Sequence, residues 1–364
     1  MNFLFHLGHP AHFYLFKNII NRLKSAGHDC AILIKKKDIL EELLQKSNID
    51  YYNLLPQGRS DSKFGIAIGL LKTDFKLRRF AIRFKPKVMI GTSYAISHVG
   101  KILNIPTINV NEDDFDIVPL YSKLSYPWAS VIVAPDVCKT GEWGYKTIKY
   151  SGYHELAYLH PNHFTPDKSV VARYFNPDKT YFIIRFAKLS AHHDAGIRGI
   201  SNQIAKQIIS MLEPYGNVYI TSERLLDREF EKYRMSINPL DIHHIIAFAN
   251  LFIGDSQTMA AEAGVLGTPF VRFNDFVGRI GYLNNLEDKY ELGFGIKTND
   301  EEKLYSIIQT LLNTPNLKEK WQIHKQKMLS EKIDVTAFLT WFIEDYPKSV
   351  KIIKENPDYQ KCFR

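Results

Sequence analysis

Between residues 249 and 272 the chain places a short apolar run (251–253), the turn Gly254-Asp255-Ser256-Gln257-Thr258, and small helix-forming residues at 259–266. Gly267 and Pro269 follow before extended sequence resumes at 270–273. That order spells strand, turn, capped helix and strand, one βαβ unit. The first turn of a helix has unpaired N–H groups and the positive end of the peptide dipole, so Ser256, Gln257 and Thr258 stand where a diphosphate would bind. One turn on, Glu262 cannot bind phosphate, but its carboxylate can accept hydrogen bonds from a pair of sugar hydroxyls, as an acidic residue does for ribose in dinucleotide folds. An ordinary βαβ unit, with Ser256 and Thr258 capping a helix and Glu262 solvated, has the same pattern.

A second set of groups suits proton transfer. Gly8-His9-Pro10-Ala11-His12 joins the first apolar run to an amphipathic helix, and imidazole titrates near neutral pH. His12, nearest the helix start, is expected to act as the base ahead of His9. A His-x-x-His pair can also hold a metal, but no third ligand is recognisable by spacing, so neither a metal nor a cofactor is expected. After the fifth apolar run, Glu112, Asp113, Asp114 and Asp116 can orient a histidine, bind substrate hydroxyls, hold a divalent ion or form a solvated acidic loop; Glu112 and Asp113 are the candidates for orienting His12. In the second half Arg185 ends an apolar run and suits either bidentate contact with a diphosphate or a structural ion pair. Ser222 and Glu223, after the next run, would approach the same ligand from the side. His192, His193 and Asp194 are weaker ligand-holding candidates, and 235–244 could wall a base pocket.

These residues need a scaffold, and the sequence describes one. Apolar runs at 2–6, 29–35, 51–54, 88–91, 107–111 and 131–134 alternate with helical patterns at 13–26, 37–47, 64–84 and 97–104, the signature of a doubly wound parallel sheet. Pro161, Pro166 and Pro177 break the pattern. A second alternation follows at 181–185, 218–221, 251–254 and 270–273, then helical stretches at 301–312, 317–333 and 335–346. The expected organisation is a first α/β domain at 1–160, a connection at 161–179, a second α/β domain at 180–334, and a terminal helix and tail at 335–364 that crosses back to the first. Open α/β sheets bind ligands at the carboxyl ends of their strands, so two such domains facing each other would define a cleft.

Composition narrows the class. The 364 residues are 45% hydrophobic, enough for two cores, and the apolar run at the first residues is too short for a signal peptide. Cys30, Cys138 and Cys362 are too few and too scattered for a disulfide framework and fit a reducing cytosol. Of the net charge of +8, residues 1–160 contribute +7, with 21 Lys and Arg against 14 Asp and Glu. Much of that excess lies at 63–87, where Lys63, Lys72, Lys76, Arg78, Arg79, Arg83, Lys85 and Lys87 face Asp74 alone, interleaved with Phe64, Ile68, Leu71, Phe75 and Ile82. This reads as a helix that meets an anionic membrane surface, or as a core-facing helix with a solvated basic side. No nucleic-acid-binding module is visible, so nucleic acid is not an expected partner.

Taken together, Gly8-His-Pro-Ala-His12, Arg185 with His192-His-Asp194, and Ile253-Gly-Asp-Ser-Gln-Thr-Met-Ala-Ala-Glu-Ala-Gly-Val-Leu-Gly-Thr-Pro269 with Arg272 resemble GT-B glycosyltransferases, a fold of two Rossmann-like domains. The likeness is to the branch containing the UDP-N-acetylglucosamine 2-epimerases and, most of all, to the family called domain of unknown function 354; it spans nearly the whole chain. The resemblance implies that the second domain binds a nucleotide sugar, with Ser256, Gln257 and Thr258 on the diphosphate, Glu262 on ribose, and Arg185, Ser222, Glu223 and Arg272 around them. The epimerases have an Asp-Ser-Gly-Gly run followed by Glu, which Asp255, Ser256 and Glu262 match. Their Gly-Thr-Arg-Pro-Glu and Gly-Asp turns are replaced here by Gly8-His9-Pro10 and Gly91-Thr92, and loss of the second turn's proton-shuttling carboxylate speaks against the same epimerisation. The first turn is instead similar to that of the peptidoglycan N-acetylglucosaminyltransferase, whose Gly-rich loop ends in a His matching His12, and which works on a lipid-linked acceptor at the cytoplasmic membrane through a basic, apolar patch. The resemblance therefore implies a cytoplasmic enzyme, peripheral on the inner face of the membrane: an inverting, metal-independent hexosyltransferase moving sugar from a nucleotide-sugar donor to a glycan or lipid-linked saccharide. The alternatives are a sugar-nucleotide 2-epimerase or hydrolase, and a non-catalytic module binding nucleotide sugar or polyanion.

Overall fold

The computed structural model describes residues 1–57, 63–188 and 198–364. They form two units, one of Met1–His163 with Lys332–Arg364 and one of Phe164–Glu331. Residues 164–179, expected as a connection, lie in the second unit, where the short helix Lys168–Val171 packs on the helix Ile242–Phe248.

The first unit contains β1 (Asn2–Leu7), β2 (Asp29–Lys35), β3 (Tyr52–Leu55), β4 (Val88–Gly91), β5 (Thr107–Val110), β6 (Val131–Pro135) and β7 (Thr147–Tyr150), paired in parallel in the order β3-β2-β1-β4-β5-β6-β7. Helices cover the sheet, so β4, β5 and β6 are buried along their whole length and read as continuous apolar runs. β7, with Lys149 among four residues, is too short and too polar to stand out in the sequence. The winding reverses between β1 and β4. There a Cβ on Gly91 would lie 2.4 Å from the His6 carbonyl oxygen, so glycine is what lets the two strands close at this point.

The helix Lys63–Phe84 buries Thr73, Leu77 and Ala81, while Leu71, Phe75 and Ile82 are 71%, 65% and 52% exposed. Positions 71, 75 and 82 fall on one helical stripe, beside the exposed Lys72, Arg78, Arg79 and Arg83. The helix thus has a core face and a separate outward apolar face set among cations. The returning chain caps its helix Val335–Glu344 with Asp334, whose carboxylate also takes His163 at 2.7 Å and Asn162 at 3.1 Å. That helix packs on the helix Pro10–Ser25, with Glu344 2.7 Å from His28.

The second unit contains β8 (Tyr181–Phe186), β9 (Asn217–Ser222), β10 (Leu251–Gly254), β11 (Phe270–Phe273) and β12 (Gly293–Ile296), parallel in the order β12-β11-β10-β8-β9. Here the winding reverses between β8 and β10. The helix Asn202–Leu212, buried at Ile204, Ala205, Ile208, Ile209 and Leu212, has a clear helical spacing that the sequence reading passed over. β12 was also missed, because Gly293 and Gly295 depress strand propensity. Gly295 makes room for a carboxylate, since a Cβ there would lie 2.5 Å from Glu287 Oε2.

Candidate functional site

In such folds ligands usually bind at the carboxyl ends of the strands where the winding reverses, here between β1 and β4 and between β8 and β10. In the first unit, β1 leads into His9, whose extended backbone and ring cap the helix Pro10–Ser25, the ring accepting the Ala11 N–H at 3.2 Å. Pro10 suits the first helical position because its missing N–H would have been unpaired anyway. His12 sits in the first turn, and its Nδ1 accepts the Gly8 N–H at 3.1 Å. Buried beneath, His6 has Nδ1 2.6 Å from Ser93 Oγ, and its Nε2 has no hydrogen-bond partner among the described residues.

Past β5, Glu112 lies against His154: one oxygen accepts the His154 backbone N–H at 3.2 Å and the other stands 3.4 Å from its Nδ1. His154 is 7% exposed, and its Nε2 likewise has no partner among the described residues. Burial pushes the imidazoles of His6 and His154 down to about 3, helped for His6 by the Lys35 charge and opposed for His154 by Asp113. Burial also holds His12 well below its ordinary value, assisted by His9, His154, Lys35 and His6. His6, His12 and His154 are therefore uncharged at neutral pH.

Two expectations change here. A neutral ring that accepts at Nδ1 has its proton on Nε2, so His12 offers a donor where a base was expected. Glu112, expected to orient His12, stands on His154, a residue the sequence did not single out because β7 before it was missed. Asp114 is buried and accepts the Lys139 N–H at 2.6 Å, so it shapes the loop, while Asp116 is exposed.

In the second unit, Arg185 leaves the end of β8 toward β9, donating to Thr221 Oγ1 at 2.9 Å and pairing with Glu223; its Nε is buried with no partner among the described residues. The structural ion pair is thus the alternative that forms, between two residues both expected on the ligand. Ser222 exchanges hydrogen bonds with the Arg224 backbone and closes a turn. Asp255 is buried and accepts the N–H groups of Ala187 at 2.6 Å and Ile200 at 3.1 Å; burial raises its carboxyl to about 6 despite both donors.

Ser256 caps the helix Gln257–Leu266 through the Met259 N–H at 3.4 Å, leaving Gln257 and Thr258 at the turn whose N–H groups have no intrahelical acceptor. Gln257 Oε1 accepts Arg272 Nη1 at 2.8 Å, while its Nε2 has no partner among the described residues. Arg272 is 0% exposed and grips Glu287 with Nε at 2.9 Å and Nη2 at 3.1 Å. Expected as a ligand contact, it is a buried strut that acts through Gln257. Glu262 is 4% exposed and lies 3.0 Å from His243, so it is neither solvated nor freely presented. Glu287 has no signal in the sequence because its partner Arg272 is 15 residues away, and His243, within the segment 235–244, stands beside Glu262, 19 residues on. His192, His193 and Asp194 lie outside the described residues.

The chain belongs to the DUF354 family of proteins of unknown function, whose sequence profile matches residues 2–328. No curated protein matches its sequence. Among solved structures it is similar to the Methanocaldococcus jannaschii UDP-GlcNAc 2-epimerase in complex with UDP-GlcNAc and UDP, at 16% identity over 91% of this chain and 99% of that one, with a TM-score of 0.64. The Neisseria meningitidis UDP-GlcNAc 2-epimerase bound to UDP-GlcNAc is 14% identical over 92% and 96% of the two chains, with a TM-score of 0.59. The spinosyn forosaminyltransferase SpnP is 11% identical over 96% and 99%, with a TM-score of 0.63. The expected fold class is therefore correct: an α/β chain with two parallel-sheet units, as in GT-B proteins.

Proposed function

We propose that this chain is a metal-independent, inverting glycosyltransferase of hexosyltransferase type, moving a sugar from a nucleotide-sugar donor to a glycan or lipid-linked saccharide in surface polysaccharide synthesis. The observation that carries the donor half of this reading is the fixed amide of Gln257: its oxygen is held by the buried Arg272, which leaves its N–H groups as spare donors at a helix start. With Ser256 and Thr258 it would hold the diphosphate, Arg185 would join by exchanging Glu223 for phosphate, and Glu262, set by His243, would take the ribose hydroxyls. UDP and UDP-GlcNAc in structurally similar proteins make uridine nucleotides the first to try. The uncharged imidazoles of the first unit suit transfer of a proton from an acceptor hydroxyl. Where the resembling epimerases have a shuttling Asp, Thr92 Oγ1 already donates to the Val110 carbonyl, which favours transfer over epimerisation.

The enzyme would work on the cytoplasmic side of the membrane, lying on anionic lipid through Leu71, Phe75 and Ile82 and the cations beside them. Among the described residues no helix is long and apolar enough to cross a bilayer. Wild type is expected to sediment with anionic liposomes and a Leu71→Gln, Phe75→Gln, Arg79→Gln variant to stay in solution; equal sedimentation removes this assignment.

A thermal-shift screen with UDP, GDP, ADP, TDP, CDP and CMP tests the donor assignment, since a ligand at about 100 times its Kd stabilises the fold by roughly 2.7 kcal/mol. One nucleotide is expected to raise the melting temperature, and Glu262→Ala to abolish the rise. No response to any of them leaves a polyanion-binding module as the better reading, and conversion of the donor alone into an altered sugar leaves an epimerase or hydrolase.

A further inference from the structure

The imidazoles of the first unit are not interchangeable. His12 Nδ1 is occupied by the Gly8 N–H, which fixes the proton of the neutral ring on Nε2 and makes that atom a hydrogen-bond donor. His154 is set the other way: the Glu112 carboxylate beside Nδ1 favours the proton there and leaves the lone pair on Nε2, an atom without a partner among the described residues. A charge on His154 is among those that disfavour protonation of His12, with His9, Lys35 and His6. His6 is set lower, with its Nδ1 engaged by Ser93.

Resting on the transfer reading above, we propose that His154 Nε2 is the proton acceptor for the acceptor hydroxyl, that Glu112 is its positioning residue, and that His12 Nε2–H donates a hydrogen bond to the acceptor. As the acceptor oxygen forms its bond to the sugar C1, the C1–O bond to the diphosphate breaks, the electron pair leaves on the diphosphate oxygen, and the hydroxyl proton passes to His154. The imidazolium so formed is met by Glu112 at 3.4 Å. Asp113 adds a second negative charge that favours the protonated ring. Burial keeps that ring uncharged beforehand, so it is in the accepting form throughout the neutral range.

Two measurements test this on the full chain. Long-range ¹H–¹⁵N correlation spectra of histidine-labelled protein, assigned with His12→Gln and His154→Gln variants, are expected to show His12 protonated at Nε2 and His154 protonated at Nδ1; the opposite tautomer at His154 overturns the proposal whatever the enzyme's reaction. Release of UDP from UDP-GlcNAc, with N-acetylglucosamine or water as the accepting probe, is expected to fall by about 10²-fold in His154→Gln, the lower end of general-base effects, with UDP affinity unchanged. His12→Gln is expected to raise KM for the accepting sugar more than it lowers kcat. Glu112→Gln is expected to move the acid limb of the kcat profile, a change that mere loss of packing would not produce. Wild-type turnover in His154→Gln rejects His154 while leaving the transfer reading intact. The expected tautomers without UDP release by wild type would instead uphold the acid–base arrangement and count against this donor.

Discussion

The strand ends of the two sheets solve the problem of concentrated polar groups in different ways. In the first unit, imidazoles from β1, its following helix and the loop after β7 are kept neutral chiefly by burial. In the second, ionisable side chains are set in pairs: Arg185 with Glu223, Arg272 with Glu287, Glu262 beside His243. The difference suits the chemistry proposed for each. A proton acceptor must be unprotonated at working pH, whereas a diphosphate site must hold positive charge and donors rigid against a doubly charged ligand.

Breaking the paired side should cost most. Arg272→Met leaves Glu287 buried beside an apolar side chain and is expected to destabilise the second unit by about 3–5 kcal/mol. Adding Glu287→Leu should recover most of that loss. Urea unfolding followed through Trp321, the tryptophan of the second unit, checks both, and a double variant no better than the single one would mean that packing rather than charge is at stake.

The neutral side should be sensitive to acid instead. Because His6 and His154 take up protons less readily folded than unfolded, their contribution is whole above about pH 6.5 and is lost as pH falls toward about 3, by up to about 1.4 kcal/mol per pH unit for each ring. His6→Gln should flatten the plot of first-unit stability against pH over that window; an unchanged slope would show that the buried ring is not what titrates. Asp334, also in the first unit, adds a second window. Burial raises its carboxyl, but hydrogen bonds from His163, the Ala337 N–H and Asn162 outweigh this and hold it at about 2. Its stabilisation is present above the ordinary carboxylate value and lost as pH falls through about 2, so Asp334→Ala at pH 7 should cost about 2 kcal/mol of unfolding free energy.

Smaller changes sharpen the contrast at the ligand. Gln257→Ala removes the spare amide donors and is expected to weaken nucleotide binding about tenfold by calorimetry, in keeping with a hydrogen bond to a charged group. Phe75→Gln should change stability by less than about 0.5 kcal/mol, since the side chain packs on little, while reducing liposome binding.

Much of this molecule was legible from local pattern. The strand, cap and stop around 249–272 were readable because Ser256, Gly267 and Pro269 act on the backbone within a few residues, and the alternation of apolar runs and helices was enough to indicate two parallel sheets. β7 and β12 were not, being four residues each with Lys or Gly in them. Residue types at the sites were legible as well, but their states were not. Arg272 reads as a phosphate ligand until Glu287 reaches it from a π-helical turn that Gly295 accommodates, and Glu112 reads as a partner for His12 until His154 returns from β7 to claim it.

The sequence by itself therefore determined the backbone punctuation, the order of elements and the inventory of donors, acceptors and titratable groups, because these depend on neighbours along the chain. Only the tertiary structure decided which groups each imidazole meets, and which guanidinium is a strut. Protonation and pairing are set by burial and by groups close in space, contributed by segments far apart in the chain, 171 residues in the case of His163 and Asp334.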